Sequence, residues 1–74
     1  MTFDFTFDAA TGHVTIADGS TEIPYDFFEN RSDIKSVSIP ESVITIQDFA
    51  FHKCDLDSLV IPDSVDSIGY NAFS

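Results

Sequence analysis

Two stretches of the chain are copies of one pattern: Ile34-Lys35-Ser36-Val37-Ser38-Ile39-Pro40-Glu41-Ser42-Val43-Ile44-Thr45-Ile46 and Leu56-Asp57-Ser58-Leu59-Val60-Ile61-Pro62-Asp63-Ser64-Val65-Asp66-Ser67-Ile68. Val37 matches Leu59, Ile39 matches Ile61 and Pro40 matches Pro62, each 22 residues apart. Ser42 with Ser64, Val43 with Val65 and Ile46 with Ile68 keep the same offset, which continues through Ala50-Phe51 and Ala72-Phe73. Self-similarity at a fixed period of this size marks a stacked repeat, in which each unit buries its apolar face only against its neighbours.

Working backwards, a weaker copy lies 23 residues earlier: Val14, Ile16, Ile23 and Phe28 fall under Val37, Ile39, Ile46 and Phe51. Ala17 stands where the later copies have proline, and Gly19-Ser20 replaces Ser-Val. An atypical first copy is what a terminal repeat requires. Before it, Phe3-Asp4-Phe5-Thr6-Phe7-Asp8 alternates aromatic and polar residues, the period of a strand with one buried face. Asp8-Ala9-Ala10-Thr11-Gly12 is turn-like, so residues 2–17 are expected to form a hairpin with a loop longer than two residues. Its inner face is Phe3, Phe5, Phe7, Val14 and Ile16.

Within a repeat, Val37 and Ile39 point one way and Ser36 and Ser38 the other. Pro40 stops the strand because it has no N–H for a ladder. Val43 and Ile46 return apolar groups to the interior, Phe49-Ala50-Phe51 reads as a short helical or 3₁₀ turn, and Cys54 and Leu56 lead to the next strand. The expected architecture is a mainly β solenoid: a leucine-rich-repeat stack with an N-terminal β-hairpin cap. A single domain over 1–74 comprises the cap at 2–17, an overlapping degenerate first repeat at 14–33, a repeat at 34–55 and a truncated repeat at 56–74.

Ser-Ile-Pro-Glu-Ser-Val at 38–43, Val-Ile-Pro-Asp-Ser-Val at 60–65, Ser-Ile-Gly at 67–69 and the two Ala-Phe pairs resemble the BspA-like leucine-rich repeats of bacterial and protist surface proteins. The resemblance covers roughly residues 14–74. It implies a curved solenoid with parallel strands along one face, used for adhesion and protein recognition, and it supplies no catalytic residues. Such proteins sit at the cell surface or are secreted, whereas Met1-Thr2-Phe3-Asp4-Phe5 lacks the basic and apolar regions of a signal peptide. The chain is therefore read either as staying where it is made or as a piece of something longer.

Composition narrows the function classes. The formal net charge is −10, with Arg31, Lys35 and Lys53 the only fixed cations, a field that repels phosphate backbones and excludes direct nucleic-acid binding. No run approaches the ~20 apolar residues of a membrane helix. Cys54 is the only cysteine, so no internal disulfide forms, and its position after the aromatic turn suits an enclosed, unreactive thiol. His13 and His52 have no companion at helical spacing and read as surface residues. Asp55, Asp57, Asp63 and Asp66 lack the glycine and alternating acid spacing of an EF-hand loop. Asn30-Arg31-Ser32 fits a glycosylation sequon, a pattern of low specificity. No metal or cofactor is expected.

Two surfaces remain. Asp4, Thr6, Thr15, Ser36, Ser38, Ser58 and Val60 should line the outward strand face as a hydroxyl-rich, mildly acidic ribbon for a protein partner. Leu59, Ile61, Val65, Ile68 and Phe73 belong to the last rung and form a candidate assembly end, to be covered by a second copy or by another chain. The leading expectation is a non-enzymatic binding or adhesion module. The alternatives are a truncated unit completing another solenoid, and an acidic mimic that occupies a basic protein surface. An enzyme ranks last, because no nucleophile–base set or phosphate-cradling loop is present and a stack of three rungs leaves little room for a pocket.

Overall fold

The computed structural model describes residues 3–73; Met1, Thr2 and Ser74, and with them the outer limits of the expected cap and last repeat, lie outside the described residues. Strands β1 (Phe5–Asp8) and β2 (His13–Ile16) pair antiparallel, with Phe5 opposite Ile16 and Asp8 opposite His13. The hairpin therefore forms with a four-residue loop, 9–12, as the alternation of its two arms predicts. At the loop's end Gly12 has φ 74°, and a Cβ there would lie 2.7 Å from the Asp33 carbonyl oxygen. Glycine alone satisfies both the left-handed backbone and this close approach.

The same sheet continues in parallel through β4 (Ser36–Ser38) and β6 (Ser58–Val60), in the order β1-β2-β4-β6. Val14, Val37 and Leu59 are register partners, so the sequence offsets of 23 and 22 are the pairing offsets. A second parallel sheet, β3 (Glu22–Ile23), β5 (Thr45–Ile46) and β7 (Ser67–Ile68), aligns Ile23, Ile46 and Ile68. This sheet was not expected from the sequence. Each strand is only two residues long, too short for an alternation to show, although the polar–apolar pair recurs in every copy.

Between the sheets lies the core: Val14, Ile16, Ile23, Phe28, Ile34, Val37, Val43, Ile46, Ala50, Phe51 and Ala72 are buried. Phe28, Phe51 and Phe73 stack through the molecule with ring centroids 5.1 and 5.3 Å apart and interplanar angles of 7° and 6°. Phe3, Phe5 and Phe7 of the hairpin pack against this core and close its amino-terminal end. The repeated serines tie rungs together. Ser42 Oγ donates to the Ser20 carbonyl at 2.6 Å and accepts from the Gly19 N–H at 3.1 Å, and Ser64 Oγ donates to the Val43 carbonyl at 2.8 Å.

The expected helical or 3₁₀ turn at Phe49-Ala50-Phe51 is corrected: the segment is a run of turns, and no helix occurs among the described residues. Ala50, His52 and Cys54 N–H groups bond back to Gln47, Phe49 and Phe51 carbonyls. The intervening amides point elsewhere, Phe49 N–H to Tyr70 O at 3.0 Å and Phe51 N–H to Ala72 O at 2.7 Å. Alternate amides are thus spent on the next rung. Phe49 and Lys53 accordingly take φ of 61° and 63°, outside the helical region.

Candidate functional site

Strand alternation decides what the first sheet shows to solvent. Because Val14, Val37 and Leu59 face inward, their neighbours form two outward rows in register: Asp8, His13, Ser36 and Ser58, then Thr6, Thr15, Ser38 and Val60. Six of the seven residues expected on the ribbon, Thr6, Thr15, Ser36, Ser38, Ser58 and Val60, therefore lie in these rows. Asp4 is exposed but falls at the end of β1, where its carbonyl accepts the Ala17 N–H at 3.1 Å, beyond the shared rows.

His13 is a correction to the reading of lone surface histidines. Its Nδ1 lies 2.6 Å from Ser36 Oγ and its Nε2 2.9 Å from Ser38 Oγ, so the ring bridges both hydroxyls of the neighbouring strand. The offset of 23 that aligns Val14 with Val37 also places His13 beside Ser36, and this was the signal available in the sequence. In its neutral form the imidazole donates to one serine and accepts from the other; when protonated it donates to both. With both nitrogens engaged by hydroxyls, no ring position remains for an orienting carboxylate of a nucleophilic triad. His52 is likewise engaged, its Nδ1 lying 3.0 Å from Glu29 Oε2 of the preceding rung.

Beside the ribbon, Val37, Ser38, Ile39, Glu41, Val60 and Pro62 line a shallow depression of about 350 Å³. Val60 at its edge is 79% exposed, an apolar side chain left in water. The sequence indicated Ser38 and Val60 but not the concavity, which reaches to Glu41 and Pro62 beyond the ends of β4 and β6.

At the other candidate surface, the five residues of the last rung all come to one end of the stack. Leu59, Val65 and Phe73 are half-buried, while Ile61 and Ile68 are exposed. β6 and β7 are both sheet edges there.

Two of the three fixed cations and the thiol are engaged locally. Arg31 holds Asp33 at 2.9 Å, which keeps that carboxyl below its usual range, and its guanidinium lies 5.3 Å over the Phe7 ring. Lys35 pairs with Asp55 at 2.9 Å and is raised by that bond. Burial pushes the Cys54 thiol above its ordinary range, and its Sγ donates to the Phe28 carbonyl at 3.0 Å. Cys54 is half-buried rather than fully enclosed. No cluster of three or more His, Cys, Asp or Glu among the described residues could hold a metal ion, and no helix is long and apolar enough to cross a membrane.

No curated protein and no solved structure matches the chain. A family model does: the BspA type leucine rich repeat region (6 copies) matches residues 4–74, which takes in the hairpin as well as the rungs. With its repeat register carried by both sheets and nearly its whole length matched, the chain belongs to the BspA-type leucine-rich repeat family.

Proposed function

We propose that the chain is a non-enzymatic protein-recognition module that binds through the outward face of the four-stranded sheet, in keeping with the interaction role general to leucine-rich repeats. The observation that carries this reading is the pair of in-register outward rows, in which His13 fixes the Ser36 and Ser38 hydroxyls beside the depression at Val60. Fixed hydroxyls are ordered before contact, so less side-chain entropy is lost on binding. The ribbon has no Trp, Tyr or Arg anchors, which favours a weak contact strengthened by repetition. Adhesion is the biological use that suits such a contact.

The test is selection from a protein display library on the wild-type chain, followed by counter-screening. Binders of this face are expected to lose retention on a Ser38→Arg, Val60→Arg double variant and to keep it on Asp66→Asn. Ligands retained equally by both variants would refute the assignment to this face.

A second reading has its own observation: the edges of β6 and β7 lie at the same end as the exposed Ile61 and Ile68. Unpaired edges beside apolar side chains are templates for another chain. The rung would then be covered by a second copy or by another repeat. Sedimentation over a concentration series distinguishes the two, since a monomer at millimolar concentration would exclude self-association.

A further inference from the structure

The turn that follows the second sheet carries a column of side chains that the strand-face reading leaves unexplained. Asp26, Phe49 and Asn71 occupy equivalent places in successive rungs, and all have positive φ: 47°, 61° and 54°. Asp and Asn enter the left-handed region readily, whereas a bulky ring there is strained. The central rung nevertheless places phenylalanine at this point. Its ring is set between two tyrosines, with centroids 5.9 Å from Tyr25 and 5.8 Å from Tyr70, each edge-on. Both tyrosines are largely in solvent, Tyr25 58% and Tyr70 71% exposed.

One step back in register, Asp48 takes the place that Tyr25 and Tyr70 hold in their own rungs. Its carboxylate is held by design of the neighbouring backbone: Oδ1 accepts the Tyr70 N–H at 2.8 Å. Gly69 makes this possible, because a Cβ there would collide with that oxygen. A fixed carboxylate thus stands in register between the exposed Tyr25 and Tyr70, next to the half-buried Phe49, on a chain of net charge −10. Arg31 and Lys35, two of the chain's own cations, are paired elsewhere with Asp33 and Asp55.

We propose that Tyr25, Asp48, Phe49 and Tyr70 form a site for an arginine side chain of a basic polypeptide partner. A guanidinium is planar and weakly hydrated, stacks on aromatic faces and pairs with a carboxylate, which matches the groups on show. Charge complementarity selects a basic partner and speeds its encounter. The site shares no residue with the strand ribbon and stands or falls separately from it.

Tyr25 and Tyr70 are the only tyrosines and there is no tryptophan, so intrinsic fluorescence reports from the site itself. The probe is a capped Gly/Ser peptide carrying two arginines, with a twin in which citrulline replaces both. A saturable change in tyrosine emission is expected with the arginine peptide, and binding about tenfold weaker with citrulline. Asp48→Asn retains the Oδ1 acceptor, and Phe49→Asn places at this position the residue type already used at Asn71; both should keep the fold, checked by circular dichroism. Each is expected to weaken binding about fivefold or more, with Asp63→Asn as the charge-matched control within about twofold of wild type. Equal weakening by Asp48→Asn and Asp63→Asn would overturn the site in favour of a general acidic field. So would the absence of any saturable change at millimolar peptide.

Discussion

Ile46 and Ile68 hold equivalent places in successive rungs, each ending a two-residue strand of the second sheet. Ile46 is 0% exposed and Ile68 49%. The residue and its place in the register are the same; what differs is whether another rung packs over it among the described residues. At the opposite end the Phe3, Phe5 and Phe7 rings cover the first rung, so Ile16 and Phe28 are sealed as fully as the middle of the stack. Burial in a solenoid is therefore a property of position in the array, and a side chain contributes stability according to its place in line.

Substitution of the paired isoleucines tests this most severely. Ile46→Ala should cost about 2–5 kcal/mol, comparable to the ~3–5 kcal/mol that a core of this size provides, and so leave the chain largely unfolded. Ile68→Ala should cost under about 1.5 kcal/mol, because much of the side chain is already in water. Urea unfolding of both variants measures the gap, and equal costs would show that the last rung is covered in solution.

The closed end gives the next largest effect. Gly12→Ala strains a left-handed residue and drives a Cβ into the Asp33 carbonyl, an expected loss of about 1–3 kcal/mol. Its signature would be early hydrogen exchange at residues 5–16, with the middle rung opening only in the global transition. Extending the chain sharpens the comparison from the other side. Repeating residues 52–73 once more after Phe73 adds a coil in register, and covering an isoleucine is worth about 1.5–3 kcal/mol. In that longer chain Ile68→Ala should become nearly as costly as Ile46→Ala.

The smallest effect is a pH dependence at Cys54. Its folded value is raised by burial, so its contribution to stability is complete below the ordinary thiol range and is lost as pH rises through the folded value. The stability of the wild-type chain relative to Cys54→Ala should therefore fall on the alkaline side, while alkylation of the folded thiol at pH 8 should be slower than in urea. An alkylation rate equal to that of the unfolded chain would show the thiol to be open.

Much of the fold was legible because a stacked repeat writes its register directly into the sequence. The offsets joining Val14 to Val37 and Val37 to Leu59 are the strand pairings themselves. The hairpin was equally plain from the alternating phenylalanines. What stayed hidden arises between rungs. The turn at Phe49 could not be distinguished from a helix, because that depends on amides reaching Tyr70 and Ala72. His13 looked solitary along the chain, yet it meets Ser36 and Ser38 across a strand pair. The ribbon residues were legible by alternation, whereas the depression at Glu41 and the rings around Phe49 depend on how side chains of adjacent coils pack.

The change of offset from 23 to 22 has a genetic consequence. Arg31-Ser32-Asp33 spans the step that Cys54-Asp55 makes one residue shorter, and the strands on either side keep their partners. A crossover between equivalent codons, such as those for Pro40 and Pro62, would delete or duplicate one whole coil and leave the contacts between the remaining coils of the same kind. Copy number can therefore change by whole coils without changing the kind of contact between rungs. Each added copy would lengthen the array while reusing the same hairpin at its start.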